Sequence, residues 1–255
     1  MNITFDSNVW RIISSPEKFP NEPSIEVFKA IRKAIEDSKI TPFLCETVFT
    51  LEAIKRKERK RFFSAYKASI NSSVEEGENG ELKLSFSMGP DKTAHPGNNS
   101  YLEAHLTDAI EIGFQIIKLP RFAGIVNPDI EAYYYQHSDL NSYHDKVHKV
   151  CREIEQKGAG ISHIKELGER FNPQWVTGIK QAPESEEGNI AKAIAEWADG
   201  DSVACHIAVG GDYFCTRDTA KKAGDKSILS EDNLTWLKQE YNFHTISPEG
   251  LASKC

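Results

Sequence analysis

Residues 3–9 of the chain read ITFDSNV, a short β-prone run that ends on an acidic residue and a polar turn. Two further runs have the same form, since residues 40–46 read ITPFLCE and residues 213–218 read YFCTRD. Apolar residues at helical spacing follow the first two runs, so the chain begins by alternating strand and helix. This alternation is typical of a mostly parallel sheet flanked by helices, and it predicts an α/β fold.

The remaining pattern predicts further helices and two more strands, over residues 82–86 and 243–246. Helical periodicity is found in residues 24–38, 102–117, 142–156, 161–171, 190–198 and 233–241. The sequence Asp199-Gly200-Asp201 interrupts the pattern after residue 198, so we expect the helix to break there. Residues 71–79 are polar and predict a loop, whereas alternation over 82–86 predicts a half-exposed strand.

The bulk composition is that of an ordinary globular protein. The 255 residues are 39% hydrophobic, and no stretch approaches the ~18 apolar residues of a membrane span. The first residues lack the features of a secretory signal, and the five cysteines form no C-x-x-C pair. We therefore expect a cytoplasmic protein without a membrane partner. The net charge of −7 gives no whole-protein attraction for nucleic acid, so RNA binding would need a local basic patch and metal ions.

Four carboxylates stand where strands end or helices begin, namely Asp6, Glu46, Asp201 and Asp218. In a doubly wound sheet the carboxyl ends of the strands lie along one edge, where ligands bind, so we expect the four to converge. Clustered carboxylates repel one another unless cations neutralise them, and hard oxygen ligands suit Mg²⁺ or Mn²⁺. Because such ions activate water and stabilise charge on a phosphoryl group, the pattern indicates phosphodiester hydrolysis.

Five short segments add an ordered set of motifs. They are 5–9 (FDSNV), 44–46 (LCE), 201–208 (DSVACHIA), 214–218 (FCTRD) and 245–251 (TISPEGL). In this order they resemble five features of PIN-domain ribonucleases. These are the opening Asp-Thr/Ser-Asn-Val, the second acidic position, the Asp-Ala-x-Ile-Ala-Ala-x-Ala helix, the Val-x-Thr-x-Asp strand end and the final Pro-Glu-x-Leu turn. Each segment alone is weak, and the ordered set is much more specific.

The resemblance implies a Mg²⁺- or Mn²⁺-dependent endoribonuclease that leaves a 5′-phosphate and a 3′-hydroxyl. It assigns the metal and the catalysis to the four acids named above. By the same resemblance, Asn8 braces the first turn, and the Thr216 hydroxyl binds a carboxylate or the attacking water. Many members of the family are toxins of toxin–antitoxin pairs, so an antitoxin protein is an implied partner besides RNA. A homodimer is implied by the family resemblance alone.

The middle of the chain departs from the family. Residues 1–68 and 185–255 together have about the length of one such domain, and we predict that they form a discontinuous PIN-like catalytic core. Residues 69–184 are then a mainly helical central insertion or extension of unknown role. Part of this stretch could still supply helices that the core needs, so the boundaries are soft.

Several acidic positions have a second interpretation. Asp199 competes with Asp201 for the third acidic position, and either one could merely cap the helix. Glu46 could be a helix-start charge favoured by the dipole, and Asp218 a turn residue. His206 lies among small residues, where packing or support of the site is the expected role.

A basic run follows the second strand and consists of Lys55, Arg56, Lys57, Arg59, Lys60 and Arg61 around one acid. It is interpreted either as a site for the RNA backbone or as a solvated helix face. His144 and His148 have the spacing of a zinc-binding helix, which makes a zinc hydrolase a distant alternative. A non-catalytic PIN-like module that binds RNA or a protein is the main alternative, favoured by the acidic net charge and the long middle segment.

Overall fold

The computed structural model describes residues 1–67, 69–77, 80–89, 91–120, 124–218 and 227–255. Its strands are β1 (Asn2–Phe5), β2 (Thr41–Cys45), β3 (Ser69–Glu76), β4 (Leu82–Gly89), β5 (Gln115–Ile117), β6 (Tyr213–Cys215) and β7 (Thr245–Ile246). Five of them form one sheet in the order β5-β2-β1-β6-β7, and every neighbouring pair in it is parallel. The predicted α/β class with a parallel sheet is therefore confirmed.

Helices flank this sheet. They are α1 (Trp10–Ser14), α2 (Ile25–Glu36), α3 (Arg59–Ala65), α4 (Ser100–Glu111), α5 (Leu140–Gln156), α6 (Ser162–Glu169), α7 (Trp175–Gln181), α8 (Glu187–Val209), α9 (Glu231–Tyr241) and α10 (Pro248–Ala252). A π-helical turn, Val48–Glu52, follows β2. The main core is built from large apolar side chains of the first elements, including the fully buried Phe5, Trp10, Phe28 and Phe49. Among the described residues, no helix combines the length and the apolar character that crossing a membrane requires.

The order of the strands reverses at the neighbours β1 and β6. The chain runs from β1 outward to β2 and β5 on one side, and from β6 to β7 on the other. Crevices that bind ligands in doubly wound sheets open at such a switch point, outside the carboxyl ends of the strands. Asp6 directly follows β1, and Asp218 lies shortly after β6, so both acids belong to this edge.

The segment 102–117 is not one helix, as predicted, but a helix and a strand. Helix α4 ends at Glu111, and Gly113 adopts a left-handed φ of 105° that a helix interior does not allow. The fully buried Ile116 and Ile117 then pair with β2. The prediction was wrong because a short apolar run fits a helix and a buried strand equally well.

The predicted break at Asp199-Gly200-Asp201 is also wrong, because α8 runs straight through it to Val209. Gly200 allows α8 to pack closely against the backbone at Gly160, because a Cβ atom at position 200 would lie 2.8 Å from the Cα of Gly160. The helix ends instead at Gly210, which has a left-handed φ of 73° and caps the last turn.

The polar segment after α3 forms a strand where the sequence predicted a loop. β3 pairs antiparallel with β4, the strand expected over residues 82–86, and the two make a separate ribbon. The predicted loop continued through residues 78 and 79, which lie outside the described residues. Cross-strand pairing, which a local pattern does not reveal, overrides the polar composition here.

The stretch 69–184, predicted as an insertion of which part could supply helices to the core, contributes a strand and several helices to the folded body. It supplies β5 to the sheet, its helix α4 packs against α1, and its helix α5 packs along α8. The ribbon of β3 and β4 differs, because its side chains are exposed along nearly the whole length of both strands.

Candidate functional site

The end of β1 is tied to the end of β6 by side-chain hydrogen bonds. Thr216 Oγ1 donates to Asp6 Oδ2 at 2.6 Å, and Asn8 Nδ2 donates to the same oxygen at 2.9 Å. The backbone amide of Asp218 donates to Thr216 Oγ1 at 2.9 Å. Four residues that the sequence selected therefore meet at the switch point of the sheet.

The ionised form of Asp6 is disfavoured at this position. Burial raises the pKa of Asp6 above its ordinary value, and the negative charge of Asp218 raises it further. Hydrogen bonds from Thr216 and Ser7 oppose this shift, and the Ser7 amide donates to Asp6 Oδ1 at 2.6 Å. A positive charge beside Asp6 would stabilise its carboxylate.

Glu52, which none of the sequence motifs contains, is the second acid of this group. It is the last residue of the π-helical turn after β2, a helix type that is frequent at functional sites. Burial raises the pKa of Glu52 to about 7, and the charge of Asp6 contributes to the shift. The positive charges of Arg59 and Arg11 and a hydrogen bond with Ser7 lower it.

Asp199 is the third acid of the group. Burial raises the pKa of Asp199 well above its ordinary value, and neighbouring carboxylates raise it further. These carboxylates belong to Asp6, Glu52, Glu196 and Asp218. We call Asp6, Glu52, Asp199 and Asp218 the switch-point acids. Glu196 precedes Asp199 by three residues on the same face of α8 and flanks them.

The predicted third acid, Asp201, faces elsewhere. Residues two apart on an α-helix project in directions about 200° apart, so Asp199 and Asp201 cannot both face β1. Asp201 Oδ1 accepts a hydrogen bond from Cys151 Sγ at 3.8 Å, and its charge acts on Glu46. Two of the four predicted acids, Asp6 and Asp218, thus meet, whereas Glu46 and Asp201 do not join them.

The local sequence contains part of the information that predicts the positions of Asp199 and Glu52. Asp199 was already the alternative to Asp201, and its spacing of three from Glu196 marks an acidic face of one helix. Glu52 lies in the helical segment predicted after β2, where no local pattern distinguishes it from Glu46, the acid at the end of the strand. The side toward which each helix faces depends on packing between elements, and periodicity does not supply it.

Glu46 and Asp201 line a separate feature, a largely apolar cavity of about 360 Å³. Both side chains are nearly inaccessible to solvent, being 4% and 3% exposed. Aromatic residues contribute much of the wall, namely Phe63, Tyr66, Trp175 and Trp197. α8 therefore separates two acidic environments, with the switch-point acids on one face and this cavity on another.

Glu46 is held by two hydrogen bonds in this cavity. The Leu119 amide donates to Glu46 Oε1 at 2.8 Å, and the Tyr134 hydroxyl donates to Oε2 at 2.5 Å. Burial raises the pKa of Glu46 to about 7, against the effect of these bonds and of the Lys118 charge. This carboxyl is therefore partly protonated near neutral pH.

The basic run after β2 divides into one fixed residue and several accessible ones. The Arg59 guanidinium donates to the backbone carbonyls of Ile54, Ala191 and Glu52 at 3.0–3.2 Å. It thereby ties α8 to the turn that carries Glu52. Lys55, Arg56, Lys57 and Arg61 are exposed, and Lys60 is half-buried, so five cations remain at the surface.

The histidines have local contacts. The rings of His144 and His148 lie 6.5 Å apart, and the His148 ring also bonds to the carbonyl of Pro120. His206 Nδ1 lies 2.8 Å from Thr4 Oγ1, and its ring contacts Phe214 and Phe243 edge-on. Burial lowers the pKa of His206 to about 3, which fits the packing role expected for it.

The switch-point acids fit a hard divalent cation by their chemistry. All are carboxylates, and the pKa values of Asp6, Glu52 and Asp199 are raised by burial and by mutual repulsion, which a cation would relieve. In the described part of the chain, no three His, Cys, Asp or Glu side chains form a group ready to hold a metal ion. Mg²⁺ does not require such a group, because it retains several waters and binds protein through one or two carboxylates.

Comparison with known proteins adds no relative. No protein-family model, curated protein or solved structure matches the chain. The resemblance to PIN-domain ribonucleases therefore rests on the five ordered sequence motifs.

Proposed function

We propose that the protein is a Mg²⁺- or Mn²⁺-dependent endoribonuclease whose metal binds among Asp6, Glu52, Asp199 and Asp218, through one or two of these carboxylates and the waters that the ion retains. The observation that carries this proposal is that Asp6 and Asp218 meet through Thr216 at the switch point, where the negative charges of Asp6, Glu52 and Asp218 also act on Asp199, so that a bound cation would be favoured. The choice of RNA as the substrate comes from the PIN-like motifs. A bound ion of this kind supplies an activated water and stabilises charge during in-line displacement.

The chain's own residues have distinct tasks in this proposal. Thr216 and Asn8 both donate to Asp6 Oδ2, so they fix the orientation of that carboxylate. Ser7 donates its amide to the other oxygen. Arg59 holds the turn that carries Glu52 against α8, which carries Asp199, through its three bonds to backbone carbonyls. Positioning by such fixed hydrogen bonds is a general requirement for an efficient site.

Substrate binding would fall to the accessible cations near this site. Lys55, Arg56, Lys57, Lys60 and Arg61 extend from the segment after Glu52. Contacts of lysine and arginine with phosphates supply much of the affinity for nucleic acid and make it dependent on salt. This local patch would compensate for the net charge of −7. An antitoxin partner stays a prediction from the resemblance.

The test is cleavage of labelled single-stranded and structured RNA by the purified protein with Mn²⁺ or Mg²⁺. Asp6→Asn keeps the size of the side chain and should reduce the rate by at least about 100-fold, because several kcal/mol of charge stabilisation are lost. Circular dichroism should show that the variant is folded. Equal cleavage by the variant and the native protein would reveal a contaminating nuclease and refute the proposal.

A non-catalytic PIN-like module that binds RNA or a protein is the second candidate. It is favoured by the acidic net charge and by the lack, among the described side chains, of a ready-made group of three metal ligands. RNA binding that responds to Lys57→Glu and Arg61→Glu, with no cleavage under any metal, would support this candidate over the nuclease.

A further inference from the structure

The cavity beside Glu46 is large for the interior of a protein. Its volume is about 360 Å³, whereas close-packed interiors contain few voids larger than a water molecule. An apolar cavity of ~150 Å³ is already sufficient to bind benzene. Small-molecule sites have volumes of ~300–1,000 Å³ and mainly apolar walls with a few polar groups. The size of this cavity is therefore that of a ligand site.

The wall of the cavity is mainly apolar and is fixed in place. Helices α6 and α7 contribute Ile164, Trp175 and Ile179 to it. A close backbone contact between Gly168 and Gly178 holds these two helices together. Aromatic rings in the wall attract cations, because the faces of the rings are negative. The wall thus suits a ligand with an apolar or aromatic body, and it favours a positive charge on that ligand.

The polar groups of the wall differ in their capacity to bind a ligand. Two hydroxyls already bond within the protein, since Thr47 Oγ1 lies 2.8 Å from Ser202 Oγ and Thr50 Oγ1 donates to the Glu46 carbonyl at 3.1 Å. Each carboxylate oxygen of Glu46 accepts one of the bonds described above and has a second lone pair. An ionised carboxylate accepts hydrogen bonds but cannot donate them. A ligand that bonds to Glu46 must therefore bring a donor.

The buried part of the cavity is negatively charged. Among the described lining residues, the charged side chains that are buried are both carboxylates, Glu46 and Asp201. Burial and the charge of Asp201 raise the pKa of Glu46, against the charge of Lys118. Lys118 is exposed, and its Nζ lies 5.2 Å from the centre of the Tyr134 ring. A cation inside the cavity would stabilise the ionised form of both carboxylates.

These properties together specify one class of ligand. We propose that the cavity binds a small organic ammonium ion, whose apolar or aromatic body contacts the wall and whose ammonium group donates to Glu46 beside Asp201. Hydrogen bonds between an ammonium group and a carboxylate are stronger than those between neutral groups. The switch-point acids lie on another face of α8, so this site is separate from the proposed metal site. Binding at the cavity does not depend on whether the protein cleaves RNA.

The first experiment tests the charge of the ligand by calorimetric titration of the full chain. The probes are phenylbutylamine, phenylbutanol and phenylbutyrate, which carry an ammonium, a hydroxyl or a carboxylate group at the same end of one body. At pH 8 Glu46, with a pKa of about 7, is mostly ionised, and an alkylammonium group with a pKa of about 10.4 is charged. Phenylbutylamine should bind with a dissociation constant of about 1 mM or lower, at least tenfold more tightly than phenylbutanol. Phenylbutyrate should bind most weakly.

The second experiment locates the ammonium group and the body with variants. Glu46→Gln keeps the size of the side chain and removes its charge, so it should weaken phenylbutylamine at least tenfold and leave phenylbutanol within about threefold. Glu169→Gln is the matched control, because it removes the same charge from the exposed end of α6 and should change neither affinity. Trp175→Leu removes a ring from the wall and should weaken both probes by about threefold or more. Circular dichroism should show that each variant is folded.

Four results would overturn the proposal. One is the absence of phenylbutylamine binding at about 10 mM. Another is an unchanged affinity for phenylbutylamine in folded Glu46→Gln or, if that variant does not fold, in Trp175→Leu. Tighter binding of phenylbutyrate than of phenylbutylamine would assign the cavity to an anion that meets Lys118. Loss of phenylbutylamine binding in Asp6→Asn but not in Glu46→Gln would place the amine at the switch-point acids.

Discussion

Asp199 and Asp201 lie two residues apart on α8, and their side chains face opposite sides of the helix. Asp199 shares its environment with Asp6 and Asp218 at the switch point, whereas Asp201 lines the apolar cavity beside Glu46. Gly200 between them leaves room for the close approach of Gly160. One helix thus separates a candidate metal site from a cavity of different character, and substitutions on its two sides should have different effects.

The two aspartates of α8 provide a matched pair for activity. Asp199→Asn should reduce metal-dependent RNA cleavage by at least about 100-fold, since it removes one charge from the switch-point acids. Asp201→Asn should leave cleavage within a few-fold of the native rate, because that side chain faces the cavity. Rates measured in Mn²⁺ with excess RNA test this, and the reverse order would assign the site to Asp201.

Glu52 and Glu46 make a second matched pair after β2. Glu52→Gln should reduce cleavage as strongly as Asp199→Asn, whereas Glu46→Gln should retain most of it. Glutamine keeps an oxygen that can accept from the Leu119 amide, so Glu46→Gln should remain folded. Loss of cleavage in Glu46→Gln alone would return that residue to the site and exclude Glu52.

Metal binding should be visible in stability without any substrate. An ion that binds only the folded state at about 100 times its dissociation constant adds about 2.7 kcal/mol, so Mn²⁺ should raise the Tm by about 5 °C or more. Without metal, Asp199→Asn should melt above the native protein, because it removes a repelled, buried charge. The same variant should lose most of the shift caused by Mn²⁺. A native Tm that is insensitive to both Mg²⁺ and Mn²⁺ would count against a metal site.

Glu46 should make stability depend on pH. Its pKa is about 7 in the folded protein and 4.5 ordinarily, so the folded state holds the proton more tightly. The contribution of Glu46 to stability is therefore complete below pH 4.5 and declines as the pH rises toward 7, by at most about 1.4 kcal/mol per pH unit. Glu46→Gln should stabilise the protein at pH 8 relative to pH 4.5, compared with the native chain in urea unfolding. Parallel pH profiles of the two proteins would contradict this.

The contact between α6 and α7 should tolerate no side chain. A Cβ atom on Gly178 would lie 1.8 Å from the carbonyl oxygen of Gly168, so Gly178→Ala must push the helices apart. We expect a loss of about 1–3 kcal/mol in the free energy of unfolding. Gly188→Ala is the control, because nothing lies within 4 Å of its Cβ position and alanine favours a helix by about 1 kcal/mol. Equal stability of the two variants would show that the helices adjust without cost.

Much of the architecture follows from local sequence. Apolar runs predicted β1, β2 and β6, and helical periodicity predicted α2, α5 and α9. A helix that buries one face has apolar residues at a regular spacing, and this spacing is visible in the sequence. The failures have a common cause. Ile116 and Ile117 became a strand because β2 offered an edge to pair with, and residues 71–76 became one because β4 faced them. β2 is distant in sequence from Ile116 and Ile117, and the pattern of β4 by itself does not show which segment it pairs with.

In the candidate site, too, local sequence determines some features and tertiary packing determines the others. The sequence by itself determined that Asp6 and Asp218 follow strands and that Asp199 and Asp201 project about 200° apart, since strand ends and helical periods are local properties. Only the tertiary structure decided that Asp199 and Glu52 turn toward β1 while Asp201 and Glu46 enclose a cavity. That choice depends on how α8 rotates as Gly200 packs on Gly160 and Arg59 binds its backbone, which are contacts between distant parts of the chain.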